Sequence, residues 1–291
     1  MDLLKQERTI LQLVHIDETG DSYYRMRWPG NELSKQVPNW RVISLDARAK
    51  ERFEWALKAD LLFLFQSHDY DLIPILHQRR ALGRKTIVEY NDNFYDPPVT
   101  SPVFEAWSNP LIWDAYERIM NLGDALVVTG PGLKELFSKK TQKPIYELKN
   151  QLPDLKLIDF EMLWADTSRE VVLGWGGSQG HLPDLFSFFP AIRTLMKEFP
   201  NLKLHMMGNA AIPNYLDLPS ERFRFTEWGS MRQYFQFLEK VHLGFAPLRD
   251  TPYNRCRSDI KAVEMASRGA LPILPNFLPY HEFIQNAELS Q

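Results

Sequence analysis

The sequence predicts an α/β protein built from two doubly wound, Rossmann-like domains, and three observations carry that expectation. Short apolar runs recur with helix-forming segments between them, the rhythm of a parallel sheet wound by helices. Several runs, such as DLLFLFQ and DALVVT, are continuously apolar rather than alternating, as strands buried on both faces must be. The rhythm stops over residues 152–169 and then restarts, which points to a linker and to two domains, residues 1–160 and 161–291.

Composition agrees with this and narrows the partners. At 291 residues, with 44% hydrophobic and 13% aromatic content, the chain can fill real cores and is not a disordered one. A net charge of −3 gives no ground for a nucleic-acid partner. The one cysteine, Cys256, cannot form an internal disulfide and fits a reducing compartment. The opening MDLLKQERTILQLV is too charged for a signal peptide, and no run reaches the length of a membrane span. A cytoplasmic protein is therefore expected. Lys134, Lys139, Lys140 and Lys143 could rest on anionic lipid at the inner membrane surface, although a solvated basic face is the commoner meaning of such a cluster.

Taken in order, residues 9–16 read as the first strand, followed by a loop DETGDSYYRMRWPG. Strands are expected at 41–45, 60–66, 85–90, 124–129 and 144–148, with helices at 47–59, 71–82, 104–120 and 132–139 between them. The second series has strands at 171–175, 202–207 and 222–226, and a helical region up to residue 199 that Pro190 should kink or divide. A capped amphipathic helix is expected over 230–240, and a last helix over 280–289. Between them, residues 241–274 read as strand, polar loop, helix and strand, a βαβ crossover. Ser258 suits the cap of that helix, Asp259 its positive end, and Gly269 the position just past its end.

The polar ends of these strands hold the candidate chemistry, because ligands of open parallel sheets sit at the carboxyl ends of the strands. Arg249, Asp250, Asn254, Arg255, Arg257, Ser258 and Lys261 crowd the crossover loop and the first helical turn, with Glu264 one turn on. Amides, a hydroxyl and cations at a helix N-terminus are what a phosphate ester needs; equally, Lys261 and Glu264 could simply pair at i,i+3. A second candidate is the stretch from Gly174 to His181, where Gly176 and Gly177 would let amides approach an anion and Ser178 and His181 add donors. The alternative there is a plain tight turn. In the first half the strand ends carry Asp17, Glu18, Arg25, Arg27, His68, Asp92 and Asn150. His68 could act as an acid or base and Asp92 could hold a hydroxylated ligand; a loop histidine without a role and an Asx turn are the alternatives. No GxSxG elbow, Walker loop, HExxH or zinc spacing occurs, so no metal is expected, and the first half lacks the GxGxxG of a nicotinamide enzyme.

On these residues the chain resembles the retaining glycosyltransferases of the GT-B fold, family-4-like members in particular. SYYRMRWPGNEL is similar to a substrate-side loop, KTIVEYNDNFYDPP and DALVVTGPGLKELF to first-domain strand ends, and KPIYELKNQLP to a strand ending in the interdomain Asn. GWGGSQGHLPDL and SDIKAVEMASRGALPIL are similar to the donor-domain glycine loop and donor-binding helix. The resemblance implies two Rossmann-like domains facing a cleft and a nucleotide-diphospho-sugar as co-substrate, with no further cofactor and no metal. It also implies a glycan, lipid-linked or protein acceptor on the side of Arg25 and Asn150, and transfer with retention. Gly176, Gly177, Ser178, Ser258 and Lys261 would then contact the diphosphate, His181 would assist, and Glu264 would hold the ribose. His68 and Asp92 would be the catalytic candidates. The sequence departs from the family in placing Cys256 where a Glu eight positions before the helix Glu is usual, which leaves Asp250 or Asn254 to read the sugar. The Arg/Lys pair after the glycine loop is missing, and the family continues through further helices beyond the point where this sequence stops, at Gln291. A GT-B-like module that binds nucleotide, glycan or protein without turnover is the alternative reading.

Overall fold

The structure is a computed structural model that describes residues 7–15, 20–101, 103–156, 158–210, 212–216 and 218–287. Candidates Asp17 and Glu18 lie outside the described residues. The chain forms two compact units, one of Met1–Tyr95, Glu105–Pro153 and Cys256–Ser258, the other of Asp96–Phe104, Asp154–Arg255 and Asp259–Gln291.

The first unit contains β1 (Arg8–Val14), α1 (Gly20–Ser22), a π-turn (Tyr23–Arg27), α2 (Trp28–Gln36), β2 (Trp40–Asp46), α3 (Arg52–Lys58) and β3 (Leu61–Phe65). It continues through α4 (Leu72–Ala81), β4 (Lys85–Tyr90), α5 (Phe104–Trp107), α6 (Pro110–Leu122), β5 (Ala125–Val128), α7 (Pro131–Ser138) and β6 (Ile145–Glu147). All strand pairs are parallel, in the order β2-β1-β3-β4-β5-β6. Leu13 faces Leu64, Leu64 faces Val88, and Val88 faces Leu126, so these apolar residues stack into one buried row. Arg79 is buried and donates to the carbonyls of Ala56, Ala59 and Lys85 and to Thr86 Oγ1. That burial brings its guanidinium down to about 10.

Two expectations fail in this unit. The stretch expected as a loop after β1 is helical over most of its length, α1 to α2. Tyr24 and Met26 bury an apolar face, and Pro29 lies where the π-turn gives way to α2. The single helix expected over 104–120 is broken into α5 and α6, because the residue before a proline avoids the helical region. Asn109 is extended and accepts a hydrogen bond from the Leu111 amide at 2.9 Å, starting a new helix.

The second unit contains α8 (Phe160–Trp164), β7 (Val171–Gly176), a 3₁₀ turn (Gln179–His181), α9 (Leu182–Glu198), β8 (Leu202–Gly208), β9 (Phe223–Glu227) and α10 (Met231–Leu238). It ends with β10 (Leu243–Phe245), α11 (Pro252–Arg255), α12 (Ile260–Ser267), β11 (Leu271–Ile273) and α13 (His281–Asn286). Its sheet is parallel, in the order β11-β10-β7-β8-β9. Leu173 and Trp175 of β7, Leu204 and Met206 of β8, and Leu185, Phe189 and Ile192 of α9 make one core cluster.

Here too the structure corrects details. The stretch expected as a linker carries α8, capped by Asp159, and Trp164 Nε1 donates to the carbonyl of Gly269 at 3.1 Å. Pro190 lies inside an undivided α9. The crossover helix is preceded by Asp259 at the cap, not Ser258. The loop before it holds α11, which the sequence reading left irregular. Gly269 does take the left-handed backbone (φ +82) expected past a helix end. The 230–240 helix has a full capping box between Ser230 and Gln233.

Candidate ligand site at the switch point of the second sheet

In the second sheet the strand order reverses between β7 and β10, the position where open α/β sheets bind ligands. A hollow lies there, lined by Trp175 and Gly176 of β7, His181, residues 245–248 at the end of β10, and Lys261 and Met265 of α12. Three of the sequence candidates, Gly176, His181 and Lys261, are thus gathered at one place.

Behind Lys261 stands a buried triad. Tyr234 of α10 donates its hydroxyl proton to Glu264 Oε2 at 2.9 Å and accepts from Lys261 Nζ at 3.0 Å. Lys261 also pairs with Glu264 directly at 3.1 Å and lies 4.4 Å from the centroid of the Tyr234 ring. Tyr234 and Glu264 are buried, whereas the Lys261 side chain remains 22% exposed, so the cation is the member that can meet a ligand. Burial, reinforced by the Glu264 charge, pushes the Tyr234 phenol well above its ordinary range, so it stays a neutral bridge. The i,i+3 pair considered from the sequence therefore exists, extended by a tyrosine from another helix. That tyrosine was missed because its segment, MRQYFQFL, shows only an amphipathic helix, with no signal for a partner thirty residues on.

The glycines have a packing role as well. Gly174 and Gly176 are strand residues, and a Cβ on Gly176 would stand 2.6 Å from Tyr234 Cε2. The Gly177 amide is already used by the carbonyl of Met207 at 3.1 Å. Ser178 is exposed and precedes the 3₁₀ turn.

A second residue that sequence reasoning missed, Asp184, organises the crossover loop. It lies buried in the first turn of α9, where a carboxylate complements the helix dipole. Its Oδ1 accepts from the Arg249 amide at 3.0 Å, from Arg249 Nε at 3.3 Å and from Asn254 Nδ2 at 3.0 Å. The Pro-Asp at the start of α9 was the available signal. Asn254 is buried in this knot, whereas Asp250 is exposed and paired with Arg255.

The remaining candidates belong to the first unit. Ser258 accepts a hydrogen bond from Asn150 Nδ2 at 2.9 Å, and Arg257 pairs with Asp92 at 3.1 Å. Asn150 Oδ1 in turn accepts from Arg25 Nη1 at 2.8 Å, and Arg25 Nε meets Glu89 at 2.5 Å. This Arg25–Glu89 pair is fully buried, and burial pushes the Glu89 carboxyl upward against the pull of the guanidinium. Arg27 stacks on Tyr23. His68 sits apart from this network, its Nδ1 3.3 Å from the carbonyl of Gln66 and its ring against Trp107. Of the basic patch, Lys139 pairs with Glu135 and Lys140 lies over the Tyr95 ring. Among the described residues no group of three or more His, Cys, Asp or Glu side chains is placed to hold a metal ion, and no helix is long and apolar enough to cross a membrane.

No protein-family model matches the chain, and none of the curated proteins matches it in sequence. Solved structures do match. The apo lipopolysaccharide outer core galactosyltransferase WaaB aligns with 92% of this chain and 81% of its own at a TM-score of 0.55 and 10% identity. The S. aureus MnaA–UDP complex aligns over 87% and 77% at 0.51 and 11% identity. A putative UDP-N-acetylglucosamine 2-epimerase from Listeria monocytogenes aligns over 82% and 74% at 0.50 and 12% identity. At such identities the likeness is one of fold. The protein has a GT-B-like fold of two Rossmann-like domains, which nucleotide-sugar glycosyltransferases and epimerases share.

Proposed function

We propose that the protein is a glycosyltransferase that moves a sugar, with retention, from a nucleotide-diphospho-sugar to a glycan, lipid-linked or protein acceptor. The observation that supports this best is the Lys261–Tyr234–Glu264 triad at the β7/β10 switch point. Tyr234 and Glu264 fix the direction of the ammonium, so a cation is preorganised beside Gly176 and His181 in a hollow with an apolar floor. A preorganised cation stabilises the charge that gathers on a diphosphate as it leaves, and departure of such a group gives an oxocarbenium-like transition state. Ser178 and Asp250, exposed around this hollow's loops, are the further donor contacts in this reading. Arg25, Asn150, His68 and Asp92 belong to the acceptor side, His68 and Asp92 as candidates for acid–base work.

Calorimetric titration with UDP tests the donor site. Lys261→Ala should weaken binding by about 1.5–3 kcal/mol, the scale of a charge-assisted hydrogen bond; equal affinity would remove Lys261 from the site. A panel of nucleotide sugars then tests turnover. Cys256, buried where the resembled family carries a carboxylate, favours a second reading, a nucleotide- or glycan-binding module without turnover. Tight UDP binding with a silent panel would establish that reading, and interconversion of the donor sugar without transfer would make the protein an epimerase.

A further inference from the structure

The first sheet also reverses its strand order, between β1 and β3, and a cavity of about 360 Å³ lies at that point. Leu13 and His15 line it from β1, Ala47 and Arg48 from the end of β2, and residues 65–69 from the end of β3, so it belongs wholly to the first domain. Its volume is in the range of small-molecule sites. The side chains around it are strongly biased toward donors. Arg48, Arg52, Gln66, Ser67 and His68 can all donate, Arg48 from a guanidinium that Asp46 also holds through Nε and Nη2, whereas the one carboxylate in the lining, Asp69, is already occupied. Asp69 Oδ2 takes Arg52 Nε at 3.2 Å and Nη2 at 3.1 Å, and Oδ1 takes the amide of Asp71 at 2.9 Å. These bonds also hold the Arg52 guanidinium in place.

Gln66 marks the spot in two further ways. Its backbone is left-handed (φ +47), a conformation that is strained for an ordinary side chain and that accumulates at ligand sites. Its amide Nε2 is buried without a hydrogen-bond partner, a cost that a ligand acceptor would remove. An exposed turn would be expected to carry Gly or Asn at such a φ; here the chain holds a glutamine there and leaves its amide nitrogen unsatisfied.

We propose that this cavity binds the anionic group of a small hydroxylated acid, a sugar carboxylate or sugar phosphate, with Gln66 Nε2, His68 and the two arginines as its donors. The proposal deepens the transferase reading by naming the class of its second substrate, but the binding it asserts needs neither nucleotide nor turnover. Calorimetry on the full chain with three probes, D-glucuronate, glucose 6-phosphate and D-glucose, tests it. At least one acid should bind, and glucose should bind about tenfold more weakly or not at all, the loss expected when a charge-assisted contact is missing. Whichever acid binds distinguishes carboxylate from phosphate. Gln66→Gly relieves the left-handed backbone while deleting the amide, and Arg48→Ala alters a side chain that is mostly exposed, so both variants should fold. Each should lower acid affinity about tenfold or more and leave UDP affinity unchanged. Equal binding of glucose and the acids, no binding of any probe, or acid affinity untouched in both variants would overturn the proposal. Loss of UDP binding by the wild-type protein would instead count against the donor site alone.

Discussion

At the β1/β3 reversal of the first domain the charged side chains come from separate elements, Asp46 from the end of β2, Arg52 from the start of α3 and Arg48 and Asp69 from the loops after β2 and β3, and they pair as Arg48 with Asp46 and Arg52 with Asp69. At the β7/β10 reversal of the second they sit one turn apart on α12, paired directly and bridged by a buried phenol from α10. The first arrangement leaves a roomy, donor-rich cavity; the second leaves a shallow hollow with one aimed cation. One topology thus supplies two kinds of site, and the choice is made by which element carries the charge. Charges drawn from several elements leave space between them, while charges one turn apart on a packed helix are held together and fill it.

That contrast can be broken experimentally, most forcefully in the first domain. Arg25→Ala should cost about 3–5 kcal/mol of stability, because it strips the buried Glu89 carboxyl of its partner and takes a donor from the Leu148 carbonyl and Asn150 Oδ1. Denaturation with hydrogen exchange on β4 and β6 would show it, and UDP affinity should be unaffected. A loss below 1 kcal/mol would mean that the pair is not buried in solution.

The second test is a pH profile of the second domain. Burial, with Arg224 and Lys240 nearby, holds His205 down to about 4 against an ordinary 6.5. The unfolded chain therefore takes up this proton first. Stability is fully present above pH 6.5 and should fall as pH drops from 6.5 toward 4, by an amount on the order of 3 kcal/mol. His205→Gln should flatten that slope; an unchanged slope would assign it to other groups.

The smallest expected effect sharpens the role of the bridge. Tyr234→Phe keeps the ring and deletes the hydroxyl, so Lys261 and Glu264 can still pair directly. We expect a loss of about 1 kcal/mol in stability, the net value of a hydrogen bond, measured by urea denaturation. A loss several times larger would show that the hydroxyl, rather than the packing of the ring, holds α10 to α12.

How far the sequence revealed these arrangements depends on the range of the interactions. Apolar strands such as β3, β4 and β5 were legible because burial on both faces leaves its mark in consecutive residues. Lys261 and Glu264 were legible because one helix turn sets their spacing. Tyr234, Asp184 and Glu89 were not, since each works through partners brought in from distant segments. The helical segment through Trp28, Pro29 and Gly30 was hidden by residues that locally signal a turn. Gly30 is needed for close packing, as a Cβ there would stand 2.5 Å from Gln12 Oε1. Gly176 has a second role that its sequence context hid: it read as phosphate-friendly backbone, and its hydrogen also makes room for an aromatic ring.

That small space has a consequence for how the second domain can vary. A methyl at position 176 would displace the Tyr234 ring, and with it the hydroxyl that joins the cation of α12 to α10. Strand β7 therefore acts as a gauge whose thickness sets the heading of a charge on a helix it does not adjoin in sequence. Changes to the ligand preference of this domain would be expected to enter through the residues around Lys261, with the width of the strand beneath them held fixed.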